Sequence, residues 1–134
     1  MSKSLKILLV DDFEMVRALL RQSLLQIGYD NLTEAANGQE ALEKIKSSQA
    51  SGENYDLVFI DWNMPIMNGL EVVKACKATA ELENIRFIMV SAEQDQKNIV
   101  TALKSGVSDY VTKPFSPKSL ALKIERILER KTAA

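Results

Sequence analysis

The sequence predicts a doubly wound α/β fold, in which a five-stranded parallel sheet has helices on both faces. Short apolar runs alternate with amphipathic segments five times along the chain. The third and fourth runs, YDLVFI (55–60) and IRFIMV (85–90), are apolar enough to form strands buried on both faces. Strands that alternate with helices pair in parallel through right-handed crossovers. A length of 134 residues suits one domain, 1–134, with short flexible ends at about 1–4 and 132–134.

The first half of the chain contains two predicted strands, LKILLV (5–10) and LTEA (32–35), each followed by a helix. In the first helix apolar residues recur at helical spacing until Gly28, which ends the helix as the residue after its cap. These apolar residues are Phe13, Val16, Leu20, Leu24 and Ile27. Asn37-Gly38 could form a hairpin turn, but the helical pattern QEALEKI follows it, so the second helix is predicted over 38–48.

The second half continues the alternation after the third strand. The remaining helices are predicted over 68–79, 93–105 and 117–131, with the fifth strand, DYVT, over 109–112. Gly106 ends the fourth helix, and the fifth has Ser116 as its N-cap and Pro117 as its first residue. The only long predicted loop, SSQASGENYD (47–56), lies at the edge of the sheet opposite the carboxyl ends of the strands.

Composition excludes several classes of function. The 17 basic and 18 acidic residues leave a net charge of −1, which gives no broad electrostatic surface for nucleic acid or an anionic membrane. A single cysteine, Cys76, and the absence of histidine exclude an internal disulfide and the usual zinc chemistry. The apolar runs are strand-sized and the start lacks the pattern of a signal peptide, so a cytoplasmic protein is expected.

Polar side chains follow four of the five predicted strands at their carboxyl ends, where such sheets bind ligands. Asp11 and Asp12 follow the first strand and Asp61 follows the third, while Ser91 follows the fourth and Lys113 the fifth. Taken singly, Asp12 or Ser91 could be a helix cap and Lys113 a surface lysine. Their conjunction at one edge of the sheet favours a functional site.

Three neighbouring carboxylates require a cation. Two carboxylates about 4 Å apart repel by roughly 4 kcal/mol at an effective dielectric constant of about 20. The available ligands are hard oxygens, which favour Mg²⁺. Such a set suits transfer of a phosphoryl group to a carboxylate, because the metal and Lys113 offset the charge of the phosphoryl oxygens. Asp61 is the predicted acceptor because it leaves its strand alone, and a carboxylate needs no histidine base.

Four segments resemble the receiver domains of two-component response regulators: VDD (10–12), FIDWNMPIMNGLE (59–71), VSAE (90–93) and YVTKPF (110–115). Within that family the chain is most similar to the single-domain, CheY-like chemotaxis regulators. The resemblance implies a flavodoxin-like sheet with strand order 2-1-3-4-5 and five helices. It also implies that Asp61 is phosphorylated and that Mg²⁺ is held by Asp12, Asp61 and the backbone carbonyl of Asn63, with Asp11 acting through water.

The same resemblance implies roles for the other site residues. Lys113, whose bond to Pro114 is commonly cis in the family, would pair with Asp61 or its phosphoryl group. Ser91 would hydrogen-bond a phosphoryl oxygen and draw the loop before the fourth helix with it, so that Tyr110 turns inward as a switch. The residues that would tune hydrolysis of the acyl phosphate are Asn63 and Glu93.

The resemblance further implies a signalling protein whose only catalysis is its own phosphorylation and dephosphorylation. A histidine kinase would donate the phosphoryl group, a phosphatase could remove it, and the protein would act as a monomer. Its output would pass from the face of helix 4, strand 5 and helix 5 to the flagellar motor switch protein. The residues of this predicted surface are Gln94, Ile99, Tyr110, Thr112 and Lys123.

Some residues leave a second output open. Ser91 stands where threonine is commoner, and Gln94, Gln96, Asp109 and Thr112 make the output face more polar or acidic than is usual in motor-binding regulators. The alternative is a stand-alone receiver in another phosphorelay or signalling branch, which does not bind the motor and acts on a different effector protein.

Other classes fit less well. A phosphatase of the haloacid dehalogenase type needs Asp-x-Asp after the first strand, whereas this chain has Asp11-Asp12-Phe13-Glu14. A flavin or dinucleotide carrier needs a glycine- or hydroxyl-rich phosphate loop there. A degenerate receiver that serves only as a scaffold is disfavoured because every site residue is present.

Overall fold

The computed structural model describes residues 4–133, with side chains described as far as Glu129. Its five strands form one parallel sheet in the order β2-β1-β3-β4-β5, which confirms the predicted fold and strand order. The strands are β1 (Ile7–Val10), β2 (Leu32–Ala35), β3 (Leu57–Ile60), β4 (Arg86–Ser91) and β5 (Asp109–Thr112). The helices are α1 (Glu14–Gln26), α2 (Gly38–Ala50), α3 (Gly69–Lys77), α4 (Gln96–Lys104) and α5 (Pro117–Ala133), with a 3₁₀ turn at Ala80–Leu82 after α3.

The strands divide their side chains between two cores, one on each face of the sheet. In β1, Leu8 and Val10 pack with residues of α2 and α3, whereas Ile7 and Leu9 pack with residues of α1 and α5. All four side chains are fully buried, and each contributes roughly 2 kcal/mol of hydrophobic free energy. A central strand of this kind is apolar on both faces, so a polar residue at its end is a strong indication of a functional site.

The predicted helix ends depend on glycine and serine at defined positions. Gly28 has a φ of 100°, and the N–H of Tyr29 donates to the carbonyl of Leu24 at 2.9 Å, which closes α1. Ser116 caps α5, because its Oγ accepts the N–H of Ser119 at 3.1 Å. Both predictions are confirmed.

Helix α4 begins three residues later than predicted. Ser91 remains the last residue of β4 and does not cap the helix; Asp95 does so, since its Oδ1 accepts an N–H of the first turn at 2.9 Å. Val100 and Leu103, two of its apolar residues, are 38% and 42% exposed, whereas Ala102 is buried. Helix α4 is therefore attached to the core by few side chains.

Three further expectations are corrected. Helix α2 continues to Ala50, so the first part of the predicted loop 47–56 is helical; no helix-breaking residue occurs before Gly52, where φ is 80°. Helix α3 ends at Lys77, two residues before the predicted end. Phe13 does not join the apolar face of α1, because it precedes the helix and is 62% exposed.

The predicted flexible ends, about 1–4 and 132–134, lie at the limits of the description, since residues 1–3 and 134 are outside it. Within the described chain, no helix has both the length and the apolar character needed to cross a membrane.

Candidate functional site

The carboxyl ends of β1 and β3 bring three carboxylates together. Asp11 and Asp12 follow β1, and Asp61 follows β3, the neighbouring strand in the sheet. One carboxylate oxygen from each residue lies within 4.8 Å of the other two. Asp11 is 1% exposed and Asp61 is 6% exposed, so both are largely withdrawn from water. We call these three residues the acidic cluster.

Lys113 reaches the acidic cluster from the end of β5. Its Nζ is 2.9 Å from Oδ2 of Asp11 and 3.6 Å from Oδ2 of Asp61, and its peptide bond to the following proline is cis. Backbone N–H groups bind the other oxygens: Phe13 donates to Oδ1 of Asp11 at 2.9 Å, and Trp62 donates to Oδ1 of Asp61 at 2.8 Å. One ammonium among three carboxylates leaves an excess of negative charge.

Asp61 shows the consequence of this excess. Burial and the neighbouring Asp11 raise the pKa of Asp61 to about 6, although Lys113 and the N–H of Trp62 act in the opposite direction. Ionisation of Asp61 is therefore less favourable in the folded protein than in the unfolded chain. A divalent cation beside it would remove that penalty.

The acidic cluster fits a divalent cation that prefers oxygen ligands. Oδ1 of Asp12 is buried and has no hydrogen-bond partner among the described residues. An unsatisfied buried acceptor costs roughly 1–3 kcal/mol, and more when it is charged. The donor set consists of carboxylate oxygens without histidine, which matches Mg²⁺ rather than a softer metal.

Ser91 lies on β4 and Tyr110 on β5, and the two residues are connected through Glu93. Ser91 is 1% exposed, and its Oγ accepts the N–H of Glu93 at 3.2 Å. The hydroxyl of Tyr110 donates to the carbonyl of Glu93 at 3.0 Å. Burial raises the pKa of Tyr110, and a hydrogen bond with Ser91 opposes part of that shift. Tyr110 is 7% exposed, so it already occupies the inward position that was expected only after a switch.

Two glycines allow the loop after Asp61 to pack closely. A Cβ on Gly69 would lie 2.1 Å from the carbonyl oxygen of Asp61, so only a glycine lets the turn approach the site this closely. A Cβ on Gly38 would lie 2.2 Å from the carbonyl oxygen of Met67. This second contact was missed, although the Asn37-Gly38 pair marks the position in the sequence. The loop is therefore held against both Asp61 and the start of α2.

Between these two contacts the loop contains a strained residue that no sequence pattern indicated. Ile66 has a φ of 73° and is the only described residue other than glycine with a positive φ. The N–H of Met67 donates to the carbonyl of Pro65 at 2.8 Å, so Ile66 is the centre of a γ-turn. A β-branched residue in this region is a genuine outlier. Asn63, the predicted carbonyl ligand, is exposed in the same loop.

Only part of the predicted output surface is exposed to solvent. Gln94 and Thr112 are exposed and Ile99 is half-buried. The Nζ of Lys123 lies 3.0 Å from Oδ1 of Asp109, which is 8% exposed. The expectation that Asp109 makes this surface more acidic is wrong, because its carboxylate is buried and ion-paired.

Comparison with known proteins places this geometry in a family. The sequence model of the response regulator receiver domain matches residues 7–125. A chemotaxis protein CheY homolog from Campylobacter jejuni is 39% identical over 124 residues, which is 92% of each chain. Among solved structures, chemotaxis protein CheY4 of Vibrio cholerae is 30% identical with a TM-score of 0.79, over 92% of this chain and 98% of the other. The receiver domain of Francisella response regulator 1452 is 32% identical with a TM-score of 0.82, over 96% and 99% of the two chains.

The family match begins at the first residue of β1 and extends into α5. It therefore includes every strand end that contributes to the acidic cluster, together with the lysine that contacts it. Because sequence, strand order and site agree over this whole range, the chain belongs to the family of response regulator receiver domains, the signalling components of two-component systems.

Proposed function

We propose that this receiver accepts a phosphoryl group from a histidine kinase on Asp61. The observation that supports the proposal is the contact between Lys113 and the acidic cluster, at 2.9 Å from Asp11 and 3.6 Å from Asp61. The excess of carboxylates attracts a divalent cation, and Lys113 offers a positive charge to incoming phosphoryl oxygens. Receiver domains of this family generally take phosphoryl groups from histidine kinases and act on effectors.

In the proposed reaction a carboxylate oxygen of Asp61 attacks the phosphorus. The O–P bond forms, the N–P bond to the donor histidine breaks, and its electron pair remains on the imidazole. Because the N–H of Trp62 holds Oδ1 of Asp61 at 2.8 Å, Oδ2, on the side of Lys113, is the proposed nucleophile. Bound Mg²⁺ would supply positive charge to the phosphoryl oxygens. The proposed metal ligands are Asp12, Asp61 and the backbone carbonyl of Asn63, with Asp11 bound through water.

Incubation with acetyl phosphate and Mg²⁺, followed by intact-mass measurement, tests the acceptor. The native protein should gain the mass of one phosphoryl group, in an alkali-labile form, only when the metal is present. Asp61→Asn should gain none, whereas Asp30→Asn, which changes an exposed aspartate, should be labelled like the native protein. Equal labelling of Asp61→Asn and native protein would show that the acceptor is wrong.

The proposed switch begins at Ser91. A phosphoryl group on Asp61 would attract its hydroxyl, which now accepts the N–H of Glu93, and Glu93 also binds Tyr110 through its carbonyl. Movement of Ser91 would therefore shift the segment that leads into α4, a helix with few core contacts. Asn63 and Glu93 are proposed to tune hydrolysis of the acyl phosphate from either side of the site.

We further propose that the α4-β5-α5 face binds the flagellar motor switch protein, with the protein acting as a cytoplasmic monomer that a phosphatase can reset. The likeness to a relative named as a chemotaxis protein favours this output. The proposed contact residues are Gln94, Ile99, Tyr110, Thr112 and Lys123. Binding of a motor switch peptide should strengthen when beryllofluoride mimics the phosphoryl group. If neither form binds the peptide, the alternative holds, in which the receiver serves another phosphorelay through a different effector.

A further inference from the structure

A second charged cavity lies at the opposite edge of the sheet from the acidic cluster, beside the amino ends of β4 and β5. Its volume is about 350 Å³. It is lined by Lys77, Arg86, Gly106, Val107, Ser108 and Ile127. Both charged residues in this lining are cations, and the proposed phosphoryl chemistry uses neither of them.

The first cation, Lys77, is held in a defined position at the end of α3. Its stem passes so close to Gly106 that a Cβ on that glycine would lie 2.8 Å from Cγ of Lys77. Its Nζ lies 5.9 Å from the ring centre of Phe87 and donates to the carbonyls of Glu83 at 3.0 Å and Ile85 at 3.2 Å. An ammonium has three N–H donors, so one remains for another acceptor.

The second cation, Arg86, is half-buried at the start of β4. Its guanidinium makes no hydrogen bond or ion pair with any residue in the described part of the chain, which leaves its five N–H donors available. Burial and the nearby Arg86 lower the pKa of Lys77, so the two positive charges act on each other.

Nearby acidic groups do not pair with these cations. Glu83 opposes part of the effect on Lys77, but among the described residues it contacts that lysine through its carbonyl and not through its carboxylate. Asp56 lies directly before β3, the strand next to that of Arg86. Its carboxylate accepts the backbone N–H of Lys6 at 2.8 Å. The cavity therefore has two positive charges and no ion-paired counter-charge.

We propose that this cavity binds a phosphate group, carried by inorganic phosphate or by a small phosphorylated metabolite. The planar fork of Arg86 can bind two phosphate oxygens at once, while the remaining N–H of Lys77 adds a compact charge. A cavity of about 350 Å³ lies within the usual size range for small-molecule sites. The bound group would contact the segment 106–108, which joins α4 to β5. This proposal does not depend on phosphorylation of Asp61.

Amide NMR titration with inorganic phosphate tests the site, in metal-free buffer at constant ionic strength with chloride as the reference salt. We expect saturable shifts of the amide signals of Gly106, Val107 and Ser108 with phosphate and none with chloride. Arg86→Gln should weaken this binding at least tenfold. Lys74→Gln, which removes the same charge from an exposed position of α3, should leave it unchanged.

Lys77→Gln provides a second variant and should also weaken binding about tenfold. Glycerol 3-phosphate separates the two sources of the ligand: tighter binding than inorganic phosphate indicates a metabolite, and equal or weaker binding indicates free phosphate. Shifts that do not saturate in the native protein would overturn the proposal. Saturation that is the same in native protein, Arg86→Gln and Lys77→Gln would also overturn it.

Discussion

Two lysines at opposite edges of the sheet differ in how well their ammonium groups are matched by hydrogen-bond and charge partners. At the amino edge, the ammonium of Lys6 donates to Oγ of Ser48 and to the carbonyl of Glu53, and lies 4.6 Å from the ring centre of Tyr55. We call these four residues the Lys6 cluster. At the carboxyl edge, the ammonium of Lys113 is shared within a cluster of three carboxylates.

Unfavourable interactions are concentrated at the carboxyl edge. The Lys6 cluster holds the end of α2 and the start of β3 together. Its ammonium is satisfied by two oxygen acceptors and an aromatic ring. The acidic cluster has repelling charges, a raised pKa at Asp61, an unpartnered oxygen of Asp12 and, in the adjacent loop, the strained Ile66. Perturbed ionisation and backbone strain are typical of functional sites.

The largest difference between the two edges is expected for glycine substitutions. Gly69→Ala would press a methyl group against the carbonyl of Asp61 and should reduce the free energy of unfolding by about 3 kcal/mol. At the amino edge, Gly52 has no atom within 4 Å of an added Cβ, so Gly52→Ala should cost about 1 kcal/mol, from its positive φ alone. Urea unfolding measures both. Equal losses would contradict the close packing at Asp61.

Removing the charge of Asp61 should stabilise the metal-free protein at pH 7. A pKa raised from 3.8 to about 6 corresponds to about 3 kcal/mol, at 1.36 kcal/mol per unit, and Asp61→Asn should recover about 2 kcal/mol of it. Because the folded state binds the proton more tightly than the unfolded state, native stability should fall as pH rises from about 4 to about 6.

Thermal unfolding at a series of pH values tests this effect. The advantage of Asp61→Asn should disappear below pH 4 and should shrink at pH 7 when Mg²⁺ is added. Asp30→Asn is the control and should show neither behaviour. A less stable Asp61→Asn at pH 7 without metal would argue against repulsion in the acidic cluster.

Loss of the Lys6 cluster should affect stability and not phosphorylation. Lys6→Met removes two donated hydrogen bonds and a cation–π contact, and should lower the free energy of unfolding by about 1–2 kcal/mol. The rate of labelling by acetyl phosphate should stay the same. Lys46→Met, at an exposed position of α2, is the control for the lost charge. Slower labelling of Lys6→Met alone would mean that the two edges are coupled.

The smallest effect is expected at Ile66, where strain and not charge is removed. Asn tolerates a positive φ better than a β-branched residue, so Ile66→Asn should raise the free energy of unfolding by about 1 kcal/mol. Leu122→Asn replaces another exposed apolar residue, in α5, and should give no gain. A gain in both variants would assign the effect to apolar exposure instead of backbone strain.

The sequence predicted the elements that depend on local chemistry. Gly28 ends α1 and Ser116 caps α5, because both act on residues within one helical turn. The predicted start of α4 was wrong. Ser91 and Asp95 can each cap a helix, and the sequence does not show which of them does so. The choice follows from Ser91 being buried as the last residue of β4, which only the packed sheet establishes.

The amino-acid sequence was enough to establish the five-stranded parallel fold and the set of acids, hydroxyl and lysine at its carboxyl edge. Strands buried on both faces must be apolar, so charged residues can follow only at their ends. Tertiary structure is needed to establish which of these groups have hydrogen-bond or ion-pair partners. It left Oδ1 of Asp12 without a partner in the described chain, paired Asp109 with Lys123 and turned Tyr110 inward. These outcomes depend on burial and on distances between side chains that are remote in sequence, and such quantities exist only once the sheet has formed.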